Sequence, residues 1–385
     1  MVKEARHAVI LRQLRLRGTV TTDQLAAELG VSAISIRRDL RELEQQGQLR
    51  RVHGGATVPR RIVREENLLE TATLGLNPAS SRPDAPLAVV GMIVPGQEYY
   101  FGDVIKGAAH AAKVAGIRLV LGVTHFSVEK EIGMVRHLAD LGAEAIIFTP
   151  ASHDLSRPSV HALLVDPPAP IVLMERRLER TADAPDLDSV RNDHALGAEI
   201  AVRHLHALGK RRIALMAFPN ATAPQLLEGY RRAISDLGLE PVDIDLGLTP
   251  RQARDWADDP DLFAGDYLDL ADAQGVDGLL VNPDMHAVSF ARLSVQRGKT
   301  TPGDIALVAY DDVIAELCEV PMSAVSPAKF DLGANAVSLA LQRIHALAEG
   351  RRLATTHSTL VPQLNVRDAD GEVFSRRTRG RSDRA

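Results

Sequence analysis

Two hydrophobic rhythms divide the chain. Up to about residue 58, apolar positions recur three and four residues apart, the spacing of helices that bury one face. A first helix is predicted over 4–17, with Ala8, Ile10, Leu11, Leu14 and Leu16 inward and Gly18 as its stop. Thr21 or Thr22 caps a second helix, in which Leu25, Ala26 and Leu29 share a face, and Gly30 makes a tight turn. Ser32 caps a third helix, whose Ile36, Leu40 and Leu43 face the core while Arg37, Arg38 and Arg41 fall on other faces. After Gly47, the run LRRVH, Gly54-Gly55 and ATV reads as a two-stranded hairpin.

From Leu87 the pattern changes. LAVVGMIV, IRLVLGV, EAIIFTP, PIVLME, RIALMAF, VDGLLVN and DIALVAY are short, nearly continuous apolar runs. Helix-length segments separate them, among them 103–115, 128–141, 195–208, 224–237 and 284–297. Strands with no polar face, alternating with helices, form parallel sheets covered on both sides. About 280 residues of this pattern exceed one compact sheet and divide into two lobes. In such sheets ligands bind at the carboxyl ends of the strands, and a cleft between lobes gathers those ends. Between the two regions, 59–86 holds Pro59, Pro78, Pro83, Pro86 and Ser80-Ser81 and reads as a flexible linker, with a short helix within ENLLETATLGL. The tail 369–385 is polar and Arg-rich and is expected to be disordered.

Net charge sharpens the division. The whole chain carries −5, yet residues 1–65 hold 13 Lys/Arg against 7 Asp/Glu, leaving −11 on the rest. A basic module on an acidic one points to nucleic acid at the N-terminus. With one cysteine, Cys318, neither a disulfide framework nor a cysteine-rich zinc site can form within one chain. No signal-peptide core and no run near the roughly 20 residues of a membrane span are present, so a cytoplasmic protein without a membrane partner is expected.

In a helix-turn-helix the N-terminal residues of the recognition helix read base edges, while arginines and the helix N-terminus hold phosphates. Ser32, Ser35, Arg37, Arg38 and Arg41 are therefore candidate DNA contacts, joined by Thr22 and by Arg51 and His53 of the hairpin. In the large region, residues at strand ends are the candidates for a ligand. Gln97, Tyr100 and Phe101 follow the first strand and offer aromatic faces with a polar neighbour. Arg176 can fork onto hydroxyls or a carboxylate, while Asp193, Gln225 and Asp284 supply polar grips. Asp193 and Asp284 fit equally as helix caps.

The segment LAAELGVSAISIRRDLRELEQQGQLRRVHGGA resembles the DeoR family of bacterial repressors, which implies a winged helix-turn-helix over 1–58 that binds double-stranded operator DNA. The stretches GMIVPGQEYYFGDVIKGAAHAAKVAGIRLVLG, RNDHALGAEIAVRHLHALGKRRIALM and GDIALVAYDDV resemble the LacI/GalR-type sensor domain, akin to periplasmic sugar-binding proteins, over 87–368. That resemblance places lobe 1 at about 87–192 and 311–325, and lobe 2 at about 193–310 and 326–368. It also matches Tyr100, Phe101, Arg176, Asp193 and Asp284 to family ligand positions. Leu226 stands where the family often has an Arg, with Gln225 beside it.

The expected fold is α/β: an N-terminal winged helix-turn-helix plus a two-lobed periplasmic-binding-protein-like domain with parallel sheets. The expected function is a homodimeric transcriptional repressor controlled by a sugar or related metabolite, with no cofactor and no metal. A sugar-metabolising enzyme carrying a DNA module is the alternative, but no GxGxxG after a strand, GxxxxGK[ST], GxSxG or HExxH supports it. A transport-type binding protein and a nucleoid binder without ligand control fit less well.

Overall fold

The computed structural model describes residues 6, 7, 10, 19–45, 50–52, 55–57, 70–74, 88–151, 158–176, 187–244, 246–248, 252, 255, 256, 259–367 and 373–375. The chain divides into two compact units, Met1–Leu68 and Leu69–Ala385.

In the first unit β1 (Thr19–Thr21) leads into α1 (Thr22–Leu29), and α2 (Ala33–Gln45) is followed by β2 (Arg50–Val52) and β3 (Gly55–Thr57). Of the predicted first helix, Arg6, His7 and Ile10 lie within the described residues and are helical. Ile10, Leu25, Ile36, Leu40, Leu43 and Ala56 form the buried core. The expected two-stranded wing is part of a three-stranded antiparallel sheet, because β1 pairs with the outer side of β3. The residues after Gly18 were too short a run to read as a strand; the exposed edge of β3 supplies their partner.

The second unit begins with β4 (Glu70–Leu74). Then come β5 (Val89–Val94), α3 (Tyr100–Ala115), β6 (Arg118–Val123), α4 (Val128–Asp140), β7 (Ala145–Phe148), α5 (Pro158–Val165), β8 (Ile171–Met174) and β9 (Asp188–Asn192). The chain continues through α6 (His194–Ala207), β10 (Ile213–Ala217), α7 (Ala223–Asp236), α8 (Ala264–Ala273), β11 (Gly278–Asn282), α9 (Asp284–Gln296), β12 (Ala306–Tyr310) and β13 (Ser323–Ser326). It ends with α10 (Lys329–Ala348), β14 (His357–Leu360), β15 (Gln363–Arg367) and β16 (Val373–Ser375).

Two sheets result. The first runs β14-β9-β8-β7-β5-β6-β4 and the second β10-β11-β12-β13-β15-β16. Alternation along single strands shows why both faces are covered. Val90, Met92 and Val94 of β5 enter the core beneath α3 and α10, whereas Ile93 enters the core beneath α4 and α5. Likewise Leu279 and Val281 of β11 face one core and Leu280 the other.

The backbone passes between the sheets at 192–194, 326–329 and 360–363. This corrects the expected lobe boundaries. β13 lies in the second sheet, not the first lobe, and α10 packs against α3 of the first lobe, not in the second. The strand SAVS gave no apolar run, and only pairing with β12 reveals its lobe. Two further expectations change. Residues 70–74, read as linker or helix, form the edge strand β4 antiparallel to β6. Residues 373–375 of the tail pair with β15. In each case an open sheet edge recruits a short segment through backbone hydrogen bonds, which carry no sequence pattern.

Helices α3 and α10 approach backbone to backbone through two glycines. A Cβ on Gly107 would lie 1.9 Å from the Phe330 carbonyl oxygen, and one on Gly333 would lie 1.9 Å from the Val104 carbonyl oxygen. Gly107→Ala is therefore expected to destabilise the second unit by about 1–3 kcal/mol, because the helices must part. The midpoint of urea unfolding followed by fluorescence measures it. Trp256, the single tryptophan, is fully buried in the second lobe and reports on this unit.

Candidate functional site

In the helix-turn-helix, local hydrogen bonds set the recognition helix. Thr21 Oγ1 accepts from the Gln24 amide at 3.3 Å and caps α1. Gly30 takes the left-handed conformation (φ 62°) that the tight turn demands. Ser32 Oγ accepts from the Ser35 amide at 3.2 Å at the start of α2, and the two hydroxyls lie 3.0 Å apart. Arg37, Arg38 and Arg41 are exposed on α2. Arg38 has a side chain 81% accessible, with Glu42 3.6 Å away as a solvated helical pair.

Thr22, however, is only 5% exposed, so it anchors α1 rather than reaching DNA. The Arg51 side chain and His53 lie outside the described residues. Sequence reading missed Asp39, which is 2% exposed on the inner face of α2. Its Oδ2 accepts from Arg6 Nε at 2.6 Å, and its Oδ1 from Arg6 Nη2 at 3.0 Å, with His7 Nε2 at 3.2 Å. Burial would raise the Asp39 pKa, but the hydrogen bonds and charges of Arg6 and His7 outweigh it and hold the pKa below its usual value. Asp39 thus ties the first helix to the recognition helix.

In the second unit, the carboxyl ends of both parallel sheets meet where the chain crosses. The most densely bonded group there is Glu175, which follows β8 and is 2% exposed. Its Oε1 accepts from the Tyr100 hydroxyl, lies 3.0 Å from His194 Nε2 and accepts from Asn192 Nδ2 at 3.3 Å. Its Oε2 accepts from the Asn192 amide at 3.0 Å. His194 Nδ1 in turn lies 3.0 Å from the Tyr310 hydroxyl. Burial alone would raise the Glu175 pKa. His194 opposes it most strongly, and with the bonds from Tyr100 and Asn192 it brings the pKa down to about 2. The same burial and the Glu175 charge push the Tyr100 hydroxyl well above its ordinary pKa, so it remains a donor.

Asn192 and Asp193 also stitch the crossings together. Asn192 Oδ1 accepts from the Ala328 amide at 2.8 Å, and the Asp193 amide donates to the Leu360 carbonyl at 2.9 Å. Beside them sits Asp311, only 7% exposed and at φ 92°. Burial and the nearby Asp284 carboxylate push its pKa up to about 7, against the pull of Lys329 and His194. Two contacts join the lobes further out. The Tyr99 hydroxyl donates to Asp284 Oδ1, and Arg191 Nη1 donates to Gln225 Oε1 at 3.3 Å.

Of the predicted ligand residues, Gln97 is exposed after β5, Tyr100 and Gln225 are half-buried at the crossings, and Arg176 is half-buried at the end of β8. Asp193 caps α6, accepting from the Leu196 amide at 3.0 Å. Two expectations are corrected. Phe101 packs into the core beneath α3 and is not a stacking face in the cleft. Asp284 is wholly buried, and its Oδ2 accepts from the amides of Val313, Ile314 and Ala315 at 2.6, 2.7 and 3.0 Å. With Oδ1 accepting from Tyr99 and no accessible surface, it does not reach a ligand hydroxyl in this arrangement; it fixes the loop after β12. Asp284→Ala is expected to cost about 1–3 kcal/mol of stability, the penalty of stranding buried donors, with Asp284→Asn in between. The Trp256 unfolding midpoint checks it.

Leu226, at the position where the resembled family often has an Arg, is fully buried in the second-lobe core. Sequence reading missed Tyr99, Arg191, Asn192, His194 and Asp311. Tyr99 had a signal in the run Tyr99-Tyr100-Phe101; the others carry none until the strand ends are brought together. It also missed a buried aromatic cluster in the core of the second lobe. His286 stacks on Phe218 with ring centres 5.6 Å apart and lies 4.3 Å from Trp256. Burial pushes the His286 pKa down to about 4. Among the described residues, no cluster of His, Cys, Asp or Glu has metal-site geometry, and no helix is long and apolar enough to cross a membrane.

This architecture defines a class: a helix-turn-helix DNA-binding unit and a two-sheet unit of the periplasmic-binding-protein kind. Family models agree. Residues 6–61 match the DeoR-like helix-turn-helix domain, 88–258 the periplasmic binding proteins and sugar binding domain of the LacI family, and 202–369 a periplasmic binding protein-like domain. The chain thus joins a DeoR-like reading head to a LacI-type sensor domain. Over 358 residues it is 23% identical to the arabinose metabolism transcriptional repressor of Geobacillus stearothermophilus, covering 92% of this chain and 91% of that one. It is 26% identical over 283 residues to the HTH-type transcriptional repressor PurR of Vibrio cholerae, covering 72% and 81%. Among solved structures it resembles a transcriptional regulator CelR–cellobiose complex, with a TM-score of 0.60, 20% identity and coverage of 91% and 99%.

Proposed function

We infer that this protein is a transcriptional repressor whose operator affinity is set by a small metabolite bound between the two sheets of its sensor unit. The observation that carries this reading is the pairing, in one chain, of an α2 helix presenting Arg37, Arg38 and Arg41 with two sheets whose strand ends converge on three crossings. Crossings of this kind let the lobes rotate with little change elsewhere, and a ligand that favours one arrangement shifts the population toward it. The repressors named above support the same reading. So does the polar chemistry where the strand ends meet, with Gln97, Arg191, Asp193 and Gln225 gathered there, as suits a sugar or related polyol. Ser32, Ser35, Arg37, Arg38 and Arg41 contact DNA in this proposal. Gln97, Tyr100, Arg176, Asp193 and Gln225 line or frame the ligand site. The protein acts in the cytoplasm as a homodimer on a two-fold operator, as helix-turn-helix proteins do when each protomer reads one half-site.

The test is to select duplexes from a random pool with the full-length protein, then titrate the best one by fluorescence anisotropy with and without a panel of sugars and sugar derivatives. A preferred sequence whose affinity one panel member changes at least severalfold is expected. Binding with no sequence preference, or an affinity that no metabolite alters, overturns the reading.

A further inference from the structure

Given a metabolite in this cleft, the state of the charged groups at the crossings narrows its class. Neutral sugars are commonly held by carboxylates that accept from their hydroxyls, since an ionised carboxylate is an acceptor with several free lone pairs. Here the two most buried of those acceptors are engaged. Glu175 is occupied by Tyr100, Asn192 and His194, and Asp284 by Tyr99 and the amides of residues 313–315, while Asp193 spends one oxygen on the Leu196 amide.

Arg176 is in the opposite state. It stands at the carboxyl end of β8, where Nε donates to the Pro150 carbonyl at 3.2 Å and Nη1 to the Glu175 carbonyl at 3.4 Å. Its Nη2 makes no hydrogen bond and the guanidinium forms no ion pair with any described residue. The carboxylates that act on it, Glu175 and Glu131, do so at longer range, and Glu131 accepts from the Ala151 amide. A buried hydroxyl at the end of the neighbouring strand β7 lacks a partner. Thr149 Oγ1, fully buried one residue before Pro150, has no hydrogen-bond partner. A guanidinium is a planar fork of donors matched to a carboxylate or phosphate, and two carbonyls with carboxylates only at longer range leave that fork unfilled.

We propose that Arg176 receives an anionic group of the effector, a carboxylate or a phosphate ester carried on a polyol, so that the ligand is an acidic sugar derivative and not a neutral sugar. This rests on the cleft being the effector site.

The test is isothermal titration of the full-length protein with matched triads, each a neutral aldose with its aldonate and its terminal phosphate ester. One anionic member is expected to bind roughly tenfold or more tightly than its neutral parent, the size of one charge-assisted pair. Arg176→Gln should abolish that preference and Arg176→Lys should retain part of it, since Lys keeps the charge without the fork. Preference for the aldonate assigns a carboxylate, and preference for the ester a phosphate. Equal or tighter binding of the neutral parent, or a preference that survives in Arg176→Gln, overturns the proposal while leaving the cleft as effector site. Binding of no member of any triad overturns both. Each variant's ligand-free melting temperature separates a failure to fold from a loss of recognition.

Discussion

Glu175→Ala is expected to lower the stability of the sensor unit by about 3–5 kcal/mol, the cost of removing one partner from a buried charged network. The loss is large because four groups converge on this carboxylate: the Tyr100 hydroxyl, the Asn192 side chain, the Asn192 amide and His194. Each is buried or half-buried and finds no water to replace the lost acceptor. The wild-type pH profile carries the same signature. The Glu175 pKa falls from 4.5 to about 2 on folding, so its contribution is complete above pH 4.5 and is lost as the pH falls toward 2. Asp311 has the opposite sign. With a pKa raised from 3.8 to about 7, it favours the fold most below pH 3.8, and stability declines as the pH rises toward 7. Urea midpoints followed through Trp256 across pH 3–8 should show both limbs in the wild type. The acid limb should be shallower in Glu175→Ala, and the neutral one in Asp311→Asn. A Glu175→Ala midpoint equal to wild type would show that the network contributes nothing net.

The second large effect falls on DNA. Replacing Arg37, Arg38 and Arg41 together with Ala is expected to weaken operator binding about a hundredfold or more, at about 1 kcal/mol or more for each contact. Folding should barely change, because the three are exposed and the Arg38–Glu42 pair is solvated. Salt separates the roles of the three. Each arginine that neutralises a phosphate adds about −0.9 to the slope of log affinity against log salt. If all three meet phosphate, the slope of the triple variant is shallower by about 3 per protomer. If one of them reads a base instead, its single replacement relaxes preference at one position and leaves the slope nearly intact. Anisotropy titrations of the single and triple variants between 50 and 200 mM salt decide this. An unchanged affinity in the triple variant would remove α2 from the interface.

How much of this was legible beforehand follows from the range of each interaction. The helix-turn-helix is local. Leu25, Ile36, Leu40 and Leu43 were readable as core because helical periodicity is written in neighbouring residues, as were the Ser32 cap and the Gly30 turn. The apolar strands β5 to β8 and β10 to β12 were equally plain, since burial on both faces leaves no polar alternation. Edge strands escaped. Glu70–Leu74 and Val373–Ser375 are bound through their backbones, and nothing in their side chains announces it.

By itself, then, the amino-acid sequence determined the two-part organisation, the reading head with its arginines and the α/β class of the sensor, because each depends on contacts within a few turns of chain. Only the tertiary structure decided which groups at the crossings are spoken for. Asp284 looks like a ligand grip until the amides of residues 313–315 and the Tyr99 hydroxyl are placed around it, and Glu175 looks unremarkable until His194 and Asn192 close on it. A carboxylate's role is set by which donors reach it. Here those donors come mostly from distant segments of the chain, brought together by the three passages between the sheets.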